Sequence, residues 1–328
     1  MYNPMISIVV CCHNRADLLP LSLDSILSQN YRNVEIIVLD DGSTDGTETA
    51  IQKYMRYIHY QWQPNQGVAR ARTNACKLAK GEFIAFQDDD DLMPPNRIPV
   101  LMDALNRYPN AVFSFGDWAI IDPQGQETGE RSNFKLSHDG KNPLFIEEGY
   151  REILWTNAVP VPHTTLFRKK DGLRLGWFDT RFYHSHEDTD FFARLATLGP
   201  IVYVPRVVSL HRRQHNSLCT NTPALLHNRL LLYEKHISAT KKTNVILNRR
   251  LCHNLFITFR DLILYLHQHP NEKSPVSSTY FLRKSGIIGL RNLLEFIFLK
   301  YVKLPVRKHI LKIPPGKNYM AHFIKKSR

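Results

Sequence analysis

Four aspartates stand in a row at Asp88–Asp91, directly behind the strand-like run from Glu82 to Phe86. Adjacent carboxylates repel one another and need water, cations or helix N-termini to relieve them. Such a segment cannot lie inside an apolar core, so the chain must leave the core at residue 88, at the end of a buried strand. The residues before it repeat that design. Ile6–Val10 and Val34–Leu39 are short apolar runs, and Tyr57–Gln61 reads as a further strand. Leu19, Leu23, Ile26 and Leu27 carry helical spacing, and Gly67–Lys80 reads as a helix. Strands separated by helices of this length predict βαβ units and an α/β fold with a mainly parallel sheet. Ligands of such sheets sit beyond the carboxyl ends of the strands. Two acidic turns fall there: Asp40-Asp41, in the turn Asp40–Gly46, and Asp88–Asp91.

The four aspartates admit two readings. One is a solvated turn in which Asp91 caps a helix starting near Pro94-Pro95. The other is a divalent cation site, since alternate side chains of an extended turn point the same way and let Asp88 and Asp90 converge. Hard oxygen ligands with room for phosphates suit Mg²⁺ or Mn²⁺.

Composition narrows the class. With 43% hydrophobic residues, 15 Gly and 19 Pro in 328 residues, the chain can bury a core and is not collagen-like, low-complexity or wholly disordered. No run of about 18 charge-free apolar residues predicts a transmembrane span, and no basic segment precedes the first apolar run as in a secretory signal. Cys11, Cys12, Cys76, Cys219 and Cys252 lack metal-type spacing and read as reduced thiols of a cytosolic protein. The net charge of +13 is uneven: residues 1–218 hold 23 Lys+Arg against 26 Asp+Glu, and residues 219–328 hold 20 against 4. The acidic front argues against nucleic acid along the main domain. The basic back calls for an anionic partner or a solvated face.

Ile6–Arg15, Val34–Thr47, Asn65–Ala75 and Gly81–Asp91, in this order and spacing, resemble the start of family 2 glycosyltransferases of the GT-A fold. Leu175–Phe182 resembles the family's G-x-F-D segment, Glu187–Leu195 its E-D motif at a helix start, and Arg213–Ser217 its R-x-H segment. The resemblance covers roughly residues 5–218 and implies a Rossmann-like GT-A catalytic domain over 1–218. It also implies inverting transfer from a nucleotide-sugar, first a UDP-sugar, to a glycan or lipid-linked acceptor in bacterial surface polysaccharide or lipopolysaccharide assembly. By the same resemblance Asp41 meets the uracil while Asp40 supports the turn. Arg72 sits near the nucleotide, Asp88 faces the ribose and Asp90 binds Mn²⁺ or Mg²⁺. Asp188 is the catalytic base, Glu187 its helper near the acceptor, and His215 reaches the metal or diphosphate.

The chain departs from the family in having Cys11 where Pro is usual. His13 takes an aromatic-or-His position from which a ring can stack on the base. Asp89 competes for a donor-binding role in a shifted register, and His211 competes with His215. Asp117 and His163 are candidates for sugar or acceptor contact, while Trp118 and Trp155 read equally well as core. Glu187-Asp188 also has the plainer reading of a helix-capping pair. An inverting transfer needs a base and a charge-stabilising ion but no enzyme nucleophile.

Residues 219–328 predict a helical, basic extension. Ile287, Leu290, Leu294, Ile297, Tyr301 and Leu304 form one apolar stripe among basic residues, the pattern of an interfacial helix. The expectation is a cytoplasmic enzyme held peripherally on the inner face of the membrane through an anionic lipid surface, with no nucleic acid partner. Packing of this helix on the catalytic domain or a partner subunit is the alternative. Two rival classes are a nucleotidyltransferase-like enzyme, which would want a Gly-rich phosphate loop absent from Cys11–Leu18, and a non-catalytic basic binding protein.

Overall fold

The computed structural model describes residues 3–132, 140–156, 160–183, 185–213, 222–240 and 243–269. The chain divides into two compact units, Met1–Thr220 and Asn221–Arg328.

The first unit runs β1 (Ile6–Cys12), α1 (Leu19–Leu27), β2 (Val34–Asp40), α2 (Thr47–Ala50), β3 (Ile58–Trp62), α3 (Val68–Leu78), β4 (Phe83–Asp88) and α4 (Arg97–Arg107). It continues with β5 (Phe113–Ile121), β6 (Glu127–Arg131), β7 (Leu144–Ile146), α5 (Gly149–Thr156), β8 (Thr165–Arg168), α6 (Lys169–Arg174), α7 (Glu187–Leu195) and β9 (Ile201–Arg212). All nine strands join one sheet in the order β3-β2-β1-β4-β8-β5-β9-β7, with β6 paired to β5. The four strands read as βαβ units are parallel. Beyond them β8 runs antiparallel between β4 and β5, and β9 runs parallel to β5.

β1 and β4 are covered on both faces, which is why they read as unbroken apolar runs; Ile6, Ile8, Val9, Val10, Phe83, Ile84 and Ala85 are fully buried. Leu19, Leu23 and Ile26 form the buried stripe of α1, and Ile98, Leu101, Met102 and Leu105 that of α4. Arg97, at the start of α4, is also fully buried. Its guanidinium donates to Gln87 Oε1 (2.9 Å), to the Phe86 carbonyl (2.6 Å) and to the Thr165 carbonyl (3.4 Å). One cation thus ties α4 to β4 and to the start of β8. Burial pushes its pKa down to about 9, against the nearby Asp88 and Asp91 carboxylates.

The second unit has α8 (Thr222–Thr240) and α9 (Val245–Gln268). Asn244 caps α9 by accepting from the Leu247 amide. Asn248 Nδ2 crosses to the Ile237 carbonyl and Thr240 Oγ1 of α8, and Leu247, Leu251 and Leu255 are buried at four-residue spacing. Among the described residues no helix is long and apolar enough to cross a membrane. The stripe Ile287–Leu304 lies outside the described residues. Cys11, Cys12, Cys76 and Cys252 are free thiols, and Cys219 lies outside the described residues.

Candidate functional site

The parallel register places Cys12 beside Asp40 and Cys11 beside Asp88. Both acidic turns therefore leave the sheet at the same edge, one on each side of β1, as the strand order requires.

The turn after β2 is held from within. Asp40 Oδ1 accepts the Ser43 amide (2.7 Å) and Oδ2 accepts the Tyr60 hydroxyl (2.9 Å). Asp41 Oδ1 accepts Gln63 Nε2 (2.7 Å) and the Gln66 amide (2.9 Å), and Oδ2 accepts the Gly67 amide (2.9 Å). The Asp41 carboxylate thereby fixes the loop leading into α3. Gly67 has φ +83°, and a Cβ there would lie 2.9 Å from the Tyr183 ring, so only glycine lets that ring sit over the loop. His13 is exposed, with its ring nitrogens 3.3 Å from the amides of Asn14 and Asn65.

Arg72 joins the two halves of the site. Its guanidinium donates to Asp88 Oδ1 (3.1 Å) and to Glu187 Oε1 (2.6 Å), residues from β4 and from the first turn of α7. Burial works against the Arg72 charge, but Asp88 and Glu187 outweigh it and raise its pKa. Glu187 is 5% exposed, and its Oε2 has no hydrogen-bond partner among the described residues. Burial, helped by Asp188, pushes its carboxyl up to about 7 against the pull of Arg72. Asp188 is half-buried. Its Oδ1 accepts the Thr189 amide (2.6 Å) and hydroxyl (3.2 Å), while Oδ2 takes no hydrogen bond among the described residues.

The segment Trp177–His186 aims this helix. Arg194 of α7 pairs with Asp190 and donates to the Leu175 and Trp177 carbonyls. Phe178 stacks on Phe191 with ring centroids 4.3 Å apart. His186 enters α7 in the left-handed conformation, φ 66°, which turns the chain so that Glu187 and Asp188 occupy the helix N-terminus, where anions are stabilised.

The four aspartates split into different roles. Asp89 faces Arg15, with Nε 3.4 Å from Oδ1; burial and then Asp90 raise its pKa. Asp90 is pushed up to about 6 by burial, Asp91 and Asp88. Asp91 turns inward and is fully buried. Its carboxylate lies 3.0 Å from His163 Nδ1 and 3.2 Å from His211 Nδ1, and it accepts the Arg212 amide (2.9 Å). Burial opposes that charge, but the two histidines hold the carboxyl well below its usual range, and Asp91 in turn raises His211. Arg212 Nε also donates to the Asp90 carbonyl (2.9 Å), and its Nη1 reaches the Asp122 and Pro123 carbonyls. The acidic turn is thus latched to the end of β9.

His163, a candidate for acceptor contact by sequence, is buried beside Asp91 and 2.7 Å from Ser209 Oγ. Asp117 accepts the Ser132 hydroxyl on Oδ1 and the Tyr203 hydroxyl on Oδ2, each at 2.9 Å. His215 lies outside the described residues. Sequence reading missed the Asp91–His163–Arg212 latch, because nothing local to Asp91 signals partners 72 and 121 positions away.

The acidic edge suits a divalent ion. Asp88 and Asp90 are half-buried carboxylates, and like charges plus burial already push Asp90 towards protonation; a cation would relieve the same repulsion. Asp91, His163 and His211 form a second group whose ligand atoms lie within 4.8 Å of one another and so could hold a metal, although these three already satisfy one another.

Comparison with known proteins bears on this arrangement. The sequence profile of glycosyl transferase family 2 matches residues 7–172. An uncharacterised glycosyltransferase of Rickettsia typhi is 29% identical over 222 residues, 67% of each chain. The Escherichia coli UDP-Glc:alpha-D-GlcNAc-diphosphoundecaprenol beta-1,3-glucosyltransferase WfaP is 41% identical over 96 residues, 29% of this chain and 38% of that one. Among solved structures, Staphylococcus aureus TarS 1-349 in complex with UDP-GlcNAc superposes with a TM-score of 0.57 at 16% identity, over 90% of this chain and 81% of that one. The mannosyltransferase PcManGT of Pyrobaculum calidifontis, in complex with GDP-Man and Mn²⁺, superposes with a TM-score of 0.55 at 18% identity, over 94% and 84%. At these identities the two structures speak for the fold.

Proposed function

The chain belongs to glycosyl transferase family 2, and on that premise we propose an inverting, metal-dependent hexosyl- or N-acetylhexosaminyltransferase. It moves a sugar from a nucleotide-sugar, a UDP-sugar first, to a hydroxyl of a glycan or lipid-linked acceptor in surface polysaccharide or lipopolysaccharide assembly. The observation that carries this reading is Arg72, which hydrogen-bonds both Asp88 at the end of β4 and Glu187 beside Asp188. Asp88 and Glu187, the neighbour of the proposed base, are two hydrogen bonds apart through Arg72. The UDP-GlcNAc complex of TarS and the lipid-linked substrate in the name of WfaP support the donor and acceptor classes.

In this reading residues 1–218 are the catalytic domain and residues 219–328 a basic extension that meets an anionic membrane surface. The enzyme works on the cytoplasmic side, peripheral to the membrane. Asp41 and His13 flank the base, Asp88 and Asp89 lie towards the ribose, and Asp90 with His215 holds the cation. Asp90 and His215 would hold Mn²⁺ or Mg²⁺, which would supply charge stabilisation to the leaving diphosphate. Asp188 Oδ2 accepts the acceptor hydroxyl proton as that oxygen bonds to C1 and the C1–diphosphate oxygen bond breaks. Such a base supplies roughly 10²–10⁴-fold. Glu187, locked by Arg72, holds the helix start and cannot swing to the acceptor without breaking that pair. Asp117 and His163 are assigned to sugar or acceptor contact.

Thermal-shift titration with UDP-, GDP- and dTDP-sugars, each with and without Mn²⁺, tests the reading. A Mn²⁺-dependent rise with one nucleotide class is expected, with inverted anomeric configuration in the product by NMR. No stabilisation by any nucleotide-sugar, or a retained configuration, overturns it.

A further inference from the structure

The first turn of α9 has two faces of opposite character. Leu247 and Leu251 are buried. Opposite them, Val245 is 58% and Ile246 65% exposed. One turn further on, Arg249 and Arg250 are exposed as well, so each aliphatic residue stands four positions before an arginine and shares its stripe of the helix. No acidic residue occurs from Lys235 to Arg260, while six basic ones do. The N-terminal turn of a helix adds a partial positive charge of its own. Polar residues would serve a merely solvated turn better than β-branched aliphatics.

We infer that the Val245–Arg250 turn is a point of insertion into an anionic lipid leaflet, with Val245 and Ile246 entering the acyl boundary and Arg249 and Arg250 on the headgroup phosphates. The inference rests on the membrane reading of the basic extension and places one contact within it. Charge complementarity selects an anionic partner, and the exposed aliphatic pair selects a lipid over a nucleic acid, which offers no apolar phase. Burial of apolar side chains and attraction to anionic lipid add together in such interfacial helices. The contact needs close approach, because screening limits the reach of the arginines to about 8 Å at physiological salt.

Flotation of the full-length protein with vesicles of phosphatidylcholine alone, or with about one third phosphatidylglycerol, tests this. The parent is expected to float with the anionic vesicles and not with the neutral ones. Arg249→Gln with Arg250→Gln should lower partition by about 25-fold, taking about fivefold for each charge at the surface. Val245→Ser with Ile246→Ser should abolish the part of the binding that survives high salt. Val245 and Ile246 are exposed, so an unchanged thermal midpoint should accompany the serine pair, and the glutamine pair is compared with the parent at matched thermal midpoint. A parent that floats while both double variants float equally well overturns the insertion point and leaves the membrane reading standing. A parent that stays with the soluble fraction in anionic vesicles overturns the membrane reading and the insertion point together. Binding to anionic vesicles that high salt removes entirely, in the parent, shows purely electrostatic attachment and also overturns insertion.

Discussion

Two adjacent carboxylates at the start of α7 sit in different environments and so take different tasks. Glu187 is enclosed and clamped by Arg72, whereas Asp188 is half-buried and offers an oxygen that takes no hydrogen bond among the described residues. Asp188→Asn should therefore keep nucleotide-sugar affinity and lower kcat by roughly 10²–10⁴-fold, because an amide cannot accept the proton. Calorimetric binding set beside steady-state rates checks this; lost UDP affinity with an unchanged rate would make Asp188 structural. Glu187 yields a stability prediction. Its folded-state pKa, about 7 against 4.5 unfolded, means that the folded state holds the proton more tightly. Its contribution is fully present below pH 4.5 and is lost as pH rises through 7. Glu187→Gln should flatten the profile of thermal midpoint against pH between those values relative to the parent. Parallel profiles would refute the burial argument. Asp90 stands apart from both, since its place on the acidic turn predicts that Asp90→Ala abolishes Mn²⁺-dependent transfer, while Asp88→Ala chiefly raises the donor KM. Equal Mn²⁺-dependent turnover in Asp90→Ala would sink the metal assignment.

At the scale of elements, the site depends on how β4, β8 and β9 are fastened behind it. Arg97 reaches from α4 to carbonyls of β4 and β8, and Asp91 with Arg212 latches the acidic turn to β9. Truncating Arg97 to Ala would strand the Phe86 carbonyl and the Gln87 side chain in the core and open a void where the guanidinium lay. A loss of about 3 kcal/mol in unfolding free energy is expected from urea denaturation. A loss under about 0.5 kcal/mol, the size of an ordinary surface substitution, would show that the buried cation fastens nothing.

For the whole molecule the dominant physical fact is the charge division, −3 over residues 1–218 and +16 over residues 219–328. Removing residues 281–328 takes away twelve basic residues and one acidic one. The shortened enzyme should bind anionic vesicles more weakly, because most of the basic charge of the extension is gone, and keep its transfer rate to a short soluble acceptor. If the truncation instead unfolds the catalytic unit, residues 281–328 are a packing element.

Strand and helix periods, and acidic turns at strand ends, are local patterns, so Ile6–Val10, Val34–Leu39 and the 88–91 turn could be placed from residues alone. The family, too, was legible there, because its motifs are short and ordered along the chain. Partners distant in sequence were not. Arg72 meets Glu187 115 positions away, and Asp91 meets His211 120 positions away. The antiparallel placement of β8 beside β4 brings His163, just before β8, to Asp91, which His211 of β9 also faces. Four identical aspartates became a neighbour of Arg15, a raised carboxyl near 6, a partner of Arg72 and a buried anion. A residue's charge state is set by its burial and its neighbours in space, which for these four only the packing of β4 against β1 and β8, and of the acidic turn against β9, determines.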